Sequence, residues 1–171
     1  MKIKFCILCS LLFSLFSLNA IGQDQSPAAL GVAAIGLVVS DIDRSEKFYT
    51  EILGMVPAGS FSLDETWSNE AGAANGKPFS VKMFKMVDGP SATILKLAYF
   101  EDMDDRPSQD GVNSYAGVNY LTFHYSDLSE VAKRAENAGY KRTGWVKRDG
   151  YQLFFIRDPD GVFIELVGPP D

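Results

Sequence analysis

The chain has 171 residues, 46% of them hydrophobic, with 16 Lys and Arg against 22 Asp and Glu, for a formal net charge of −6. Enough apolar side chain is present to build a core, which excludes a low-hydrophobicity disordered chain. The acidic balance argues against nucleic acid or anionic lipid as the main partner.

Lys2 and Lys4 precede an apolar run from Phe5 to Leu18, and small or polar residues continue through Asn19, Ala20, Ile21, Gly22 and Gln23. This charged, apolar and cleavable layout predicts a secretory signal peptide over residues 1–23, with the cleavage bond placed only approximately. Its apolar core is shorter than the roughly 20 residues of a membrane span, although a retained signal anchor is the alternative. The expectation is therefore an exported protein, periplasmic or secreted, with no stable membrane association after cleavage. Cys6 and Cys9, the chain's two cysteines, fall inside this segment. The remainder would hold no disulfide, thiolate nucleophile or cysteine metal site. Residues 24–32 read as a flexible polar leader, and the stretch from residue 33 onward is long enough for one domain.

Ala33 to Val39 is a continuous apolar, β-branched run, which predicts a strand largely covered on both faces. Asp41 or Asp43 then caps a helix, Asp43 to Glu46 having capping-box spacing. Ile42, Phe48, Tyr49, Ile52 and Leu53 recur at helical spacing until Gly54. Strands are expected over Met55 to Phe61, Val81 to Val87 and Ala92 to Phe100, the last two joined by a hairpin at Asp88-Gly89-Pro90. Ser60 to Ser80 is a long insertion between strands. Loops of this kind serve as lids, and Trp67 and Phe61 could close over an apolar ligand or pack on the outer sheet.

The order then repeats. Ala34-Ile-Gly-Leu-Val-Val-Ser-Asp41 aligns without a gap against Tyr120-Leu-Thr-Phe-His-Tyr-Ser-Asp127. Val118 to Tyr125 reads as a strand, and Asp127 to Glu130 as a second capping box. Leu128, Val131, Ala132 and Ala135 form a helical stripe ending near Gly139. Further strands are expected over Arg142 to Val146, Gln152 to Arg157 and Val162 to Val167, the last two joined by the turn Asp158-Pro-Asp-Gly161. The organisation is a single domain, 33–168, made of a βαβββ module at 33–100, a linker at 101–117 and a second βαβββ module at 118–168. Such a repeat implies modules that bury their faces together and share a cleft. Glu101 to Asp105 is acidic but lacks the glycine and spacing of a calcium loop, so the linker reads as solvated.

Ser40 to Gly54, with Phe48-Tyr49 and Leu53-Gly54, resembles the first helix of the vicinal oxygen chelate superfamily, which includes glyoxalase I, bleomycin-resistance proteins and extradiol dioxygenases. Arg157-Asp-Pro-Asp-Gly161-Val-Phe-Ile-Glu165-Leu resembles that superfamily's closing hairpin. The resemblance covers about 33–168 and implies an α+β fold: two βαβββ modules forming a curled mixed sheet around a central cleft, often in a homodimer. Metal-dependent relatives draw ligands, usually His and Glu, from the first and last strands of each module. Carried onto this sequence those positions are Ala34, Lys96, Tyr120 and Glu165. Alanine offers no donor, lysine is itself a cation, and tyrosine is a rare ligand for these ions. No cofactor is therefore expected, and a divalent metal is disfavoured.

Lys96 and Glu165 occupy equivalent positions, so the resemblance brings them towards each other, and the ammonium could stand in for a metal charge by pairing with the carboxylate. The alternative is that Lys96 runs to solvent. Tyr120, Thr122 and His124 share one strand face, which would make a polar stripe for a ligand, with His124 able to act as a base. Tyr120, Phe163 and Trp67 supply apolar surface for a small molecule. The reading is a module binding a small organic ligand through Lys96, Tyr120, Thr122, His124, Trp67 and Phe163. The competing reading is a lyase, isomerase or dioxygenase, either using Glu165 as an acid/base group or holding a metal in a rearranged set such as Glu165 with His124. A third is a structural or partner-binding domain with a filled cleft.

Overall fold

The structure, a computed structural model, describes residues 33–170. The expected signal peptide and leader lie outside them. The elements run β1 (Ala34–Val38), α1 (Ile42–Lys47), a π-helical turn (Phe48–Ile52), β2 (Val56–Leu63), α2 (Glu65–Ala71), β3 (Phe79–Lys85), β4 (Ile94–Tyr99), β5 (Tyr120–His124), α3 (Ser129–Asn137), β6 (Trp145–Arg148), β7 (Tyr151–Arg157) and β8 (Phe163–Gly168). They form two four-stranded sheets of identical topology, β1-β4-β3-β2 and β5-β8-β7-β6. In each, the first strand pairs parallel to the last, and the other pairings are antiparallel. The α+β class and the paired βαβββ modules are as expected. Each module contributes one mixed sheet, and the two do not close.

That openness overturns the reading of β1 as largely covered on both faces. It is an edge strand hydrogen-bonded to β4, and most of its residues are exposed. A run of apolar residues cannot distinguish a central strand from an edge strand, because pairing partners come from distant sequence.

Local signals explain the helices. Asp41 caps α1, its carboxylate accepting from the N–H groups of Asp43 (3.1 Å) and Arg44 (2.9 Å). Asp43 and Glu46 do not close a capping box. They receive Lys82 Nζ from β3 at 2.8 and 2.5 Å, which raises the Lys82 pKa through those hydrogen bonds. Gly54, at φ 79°, lets the chain turn out of the π-helical turn into β2. In the second module Leu128 occupies the N-cap without a side-chain bond. The Asp127 carboxylate accepts from the N–H and hydroxyl of Ser129 instead. The Ser60–Ser80 insertion is structured: β2 runs through Leu63, and Asp64 caps α2 by accepting from Trp67 N–H at 2.8 Å.

Each sheet packs its helix on one face. Phe84, Leu95 and Leu97 of the first and Phe154, Ile156, Ile164 and Leu166 of the second are at most 2% exposed and belong to one apolar cluster. Each contributes about 1.5–3 kcal/mol by leaving water. The cluster spans both modules because the first module's helical segment packs on the second. Tyr125 Oη donates to Leu53 O (2.7 Å) and Arg134 Nε to Ile52 O (2.9 Å), satisfying carbonyls at the end of the π-helical turn. Tyr49 Oη donates to Asp158 Oδ2 at 3.0 Å. Ser40 and Arg44 both donate to Asp160, the guanidinium at 3.1 Å.

Candidate functional site

The sheet faces turned away from α1 and α3 carry the candidate chemistry. Cross-strand partners share a face, so the register of the second sheet defines three rows. Tyr120, Phe163 and Arg157 form one, Thr122, Glu165 and Phe155 the next, and His124, Val167 and Leu153 the third. The fold thus brings five predicted site residues, Tyr120, Thr122, His124, Phe163 and Glu165, onto one surface. Thr122 Oγ1 donates to Glu165 Oε2 at 2.6 Å, fixing the carboxylate from the adjacent strand. Tyr120 and Phe163 each meet the Phe155 ring at 6.1 Å, edge to face. The Arg157 guanidinium lies 4.1 Å above the Phe163 ring and donates to the carbonyls of Gly161 and Asp110. His124 sits exposed at the end of β5.

Sequence reasoning missed Phe155 and Arg157 as members of this surface. Their period-two spacing along β7 was legible, but only the β7–β8 register shows which face they join. It also missed the pair of Tyr49 and Asp158. Asp158 is 4% exposed, and burial pushes its carboxyl up to about 6, against the opposing pull of hydrogen bonds from Val162 N–H and Tyr49. Burial and the neighbouring Asp158 likewise raise the Tyr49 phenol well above its ordinary range.

On the first sheet the corresponding row reads Gly36, Lys96, Met83 and Gly59. Lys96 is half-buried. No ion pair joins it to Glu165, whose carboxylate is instead bonded to Thr122. The two side chains belong to separate sheets, and equivalence in a repeat places residues at matching positions without making them touch. Trp67, on α2, meets Phe79 at 6.0 Å, and Phe79 stacks on Phe100 at 4.7 Å. Beside these rings is a cavity of about 380 Å³ lined by Ser62, Lys77, Ser80, Tyr99 and Glu101 among others. There Lys77 Nζ donates to Asp102 O at 2.9 Å and ties the insertion to the linker. Among the described residues no group of three or more His, Cys, Asp and Glu side chains converges as a metal site.

The duplicated topology and these faces can be set beside known proteins. The sequence profile of the Glyoxalase/Bleomycin resistance protein/Dioxygenase superfamily matches residues 31–166. The chain belongs to this superfamily. A lactoylglutathione lyase of Arabidopsis thaliana, GLX1, is 27% identical over 135 residues, covering 75% of this chain and 41% of that protein. The chain thus spans about two fifths of that relative's length. Among solved structures, a glyoxalase family protein from Bacillus cereus superposes with a TM-score of 0.70 at 18% identity, covering 89% of this chain and all of the other. The trypanothione-dependent glyoxalase I of Leishmania major gives 0.58 at 24% identity, over 79% of this chain and 84% of its own. These superpositions establish that the superfamily fold is shared.

Proposed function

We propose that this protein is an exported, glyoxalase/bleomycin-resistance-like domain that binds a small organic ligand on the sheet faces turned away from α1 and α3, without the superfamily's usual metal ligands. One observation carries the reading. Of the four positions matching the superfamily's ligand set, Ala34, Lys96, Tyr120 and Glu165, only Glu165 has the expected chemistry, and its carboxylate is engaged by Thr122 at 2.6 Å. A divalent cation needs several convergent imidazoles or carboxylates, so these residues do not fit one. What the face does offer is the aromatic group of Tyr120, Phe155 and Phe163 with a few fixed polar groups, the composition of a small-molecule site.

The order of positive, apolar and small residues at the N-terminus supports export, checked by the N-terminal residue of protein taken from the exported fraction. Ile35, Val56 and Val118, each more than a third exposed, support a homodimer, checked by sedimentation.

The test of the main reading is the metal content of protein purified without chelator, together with its melting temperature with and without added divalent ions. No bound metal and no shift is the expected result. About one metal per chain with a shift of several degrees would overturn it. The Thr122–Glu165 bond favours one second reading, a lyase or isomerase in which the oriented Glu165 carboxylate serves as base. Glu165→Gln separates the two: turnover would be lost, whereas simple binding would persist.

A further inference from the structure

Charge on the first sheet is distributed unevenly. Lys47 meets Glu51 at 3.9 Å. Lys77 donates to Asp102 O and Lys85 to Gly89 O. Lys82 takes two carboxylates. Among the described residues, Lys96 alone of this module's lysines has no carboxylate or carbonyl partner. It is half-buried, on a face it shares with Gly36, Met83, Ile94, Ala98, Val81 and Lys85. An ammonium with no counter-charge among the described residues is available to an anion from outside.

The glycines of its row shape the space around it. A side chain built on Gly36 would meet no atom within 4 Å, whereas one on Gly59 would meet the Met83 methyl at 3.2 Å. Met83 therefore covers the Gly59 end, while the Gly36 end, on the exposed edge strand, is open beside Lys96. In the next row Val38 and Phe61 expose 48% and 39% of their surface, supplying apolar area. A cation without an internal partner among the described residues, room beside it and apolar surface nearby fit one kind of ligand.

We propose that Lys96 anchors the carboxylate of a small organic acid whose apolar body lies over the open strand edge at Gly36. This rests on the ligand-binding reading above and names the ligand class. The cation serves to orient the anion, and no group is transferred. Glu165, bonded to Thr122 on the second sheet, leaves the Lys96 charge without a carboxylate among the described residues.

The test uses the purified full chain and two probes of the same shape, benzoate and the neutral benzamide, titrated by NMR with assigned backbone amides. Benzoate is expected to shift the amides around Gly36 and Lys96 and to bind at least about tenfold more tightly than benzamide. Lys96→Met should weaken benzoate about tenfold or more and leave benzamide unchanged. Gly36→Val, which adds bulk where the fold has room, should block both probes without lowering the melting temperature. Equal binding of the two probes at this row, or benzoate binding unaltered in Lys96→Met, overturns the anion anchor while the ligand-binding reading stands. Absence of shifts on either of these sheet faces, from either probe at tens of millimolar, removes both.

Discussion

The two modules share a backbone plan and differ in what they do with charge. Each is a four-stranded sheet with its first strand parallel to its last, and each buries one face under a helix. At matching places in the last strand stand Lys96 and Glu165. Glu165 is bonded to Thr122 from the neighbouring strand and sits among aromatic rings. Lys96 stands between a glycine and a methionine with no partner among the described residues. The difference teaches that duplication fixes where a residue stands in the sheet, while the side chain one strand away decides whether its charge is used internally or left for something else.

If the modules are mechanically equivalent, truncating their cores at matching places should cost similar amounts. Phe84 pairs with Leu95 in the first sheet, and Ile156 with Ile164 in the second. Phe84→Ala is expected to lose about 3–5 kcal/mol and Ile156→Ala about 2–5 kcal/mol. Both should appear in urea melts as one cooperative transition, because the apolar cluster is continuous across the modules. Two separate transitions would break the equivalence.

The contact between modules has its own pH signature. The Asp158 carboxyl is raised from 3.8 to about 6, chiefly by burial. The folded chain therefore holds this proton more tightly than the unfolded chain does. The stability it contributes is fully present below about pH 4 and is lost as pH rises through about 6, an effect on the order of 3 kcal/mol. Asp158→Asn should remove that component of the slope. A variant whose stability follows the parent's pH profile between 4 and 6 would show that burial does not govern this group.

Smaller effects sharpen the comparison of the two faces. Arg157→Ala removes the guanidinium above Phe163 and its bonds to Gly161 and Asp110. It should cost about 1 kcal/mol and loosen the linker, detectable as faster amide exchange near Asp110. Lys47→Ala removes an exposed pair with Glu51 and should change stability by less than about 0.5 kcal/mol. Against that reference, any larger binding effect of Lys96→Met belongs to its site.

Much of the plan was legible from residues alone. The gapless repeat announced the modules, Asp41 announced a cap, and Asp158 to Gly161 announced the turn that Gly161 completes at φ 84°. The shared face of Tyr120, Thr122 and His124 came from the two-residue period of a strand. What was not legible depends on register. Arg157 and Phe155 join the Glu165 surface only because β7 pairs with β8 at that offset. Asp43 and Glu46 were read as cap partners, yet they answer Lys82 from a strand far along the chain.

The sequence by itself determined the module order, the closing turn, the start of α1 at Asp41 and the superfamily, since these rest on neighbours a few residues apart. The tertiary structure alone decided that β1 is an open edge, that Tyr49 and Asp158 meet across the modules, and that Glu165 has a partner while Lys96 has none among the described residues. Those outcomes depend on which distant strand lies within about 3 Å of a polar atom, and only packing of the whole chain sets that distance.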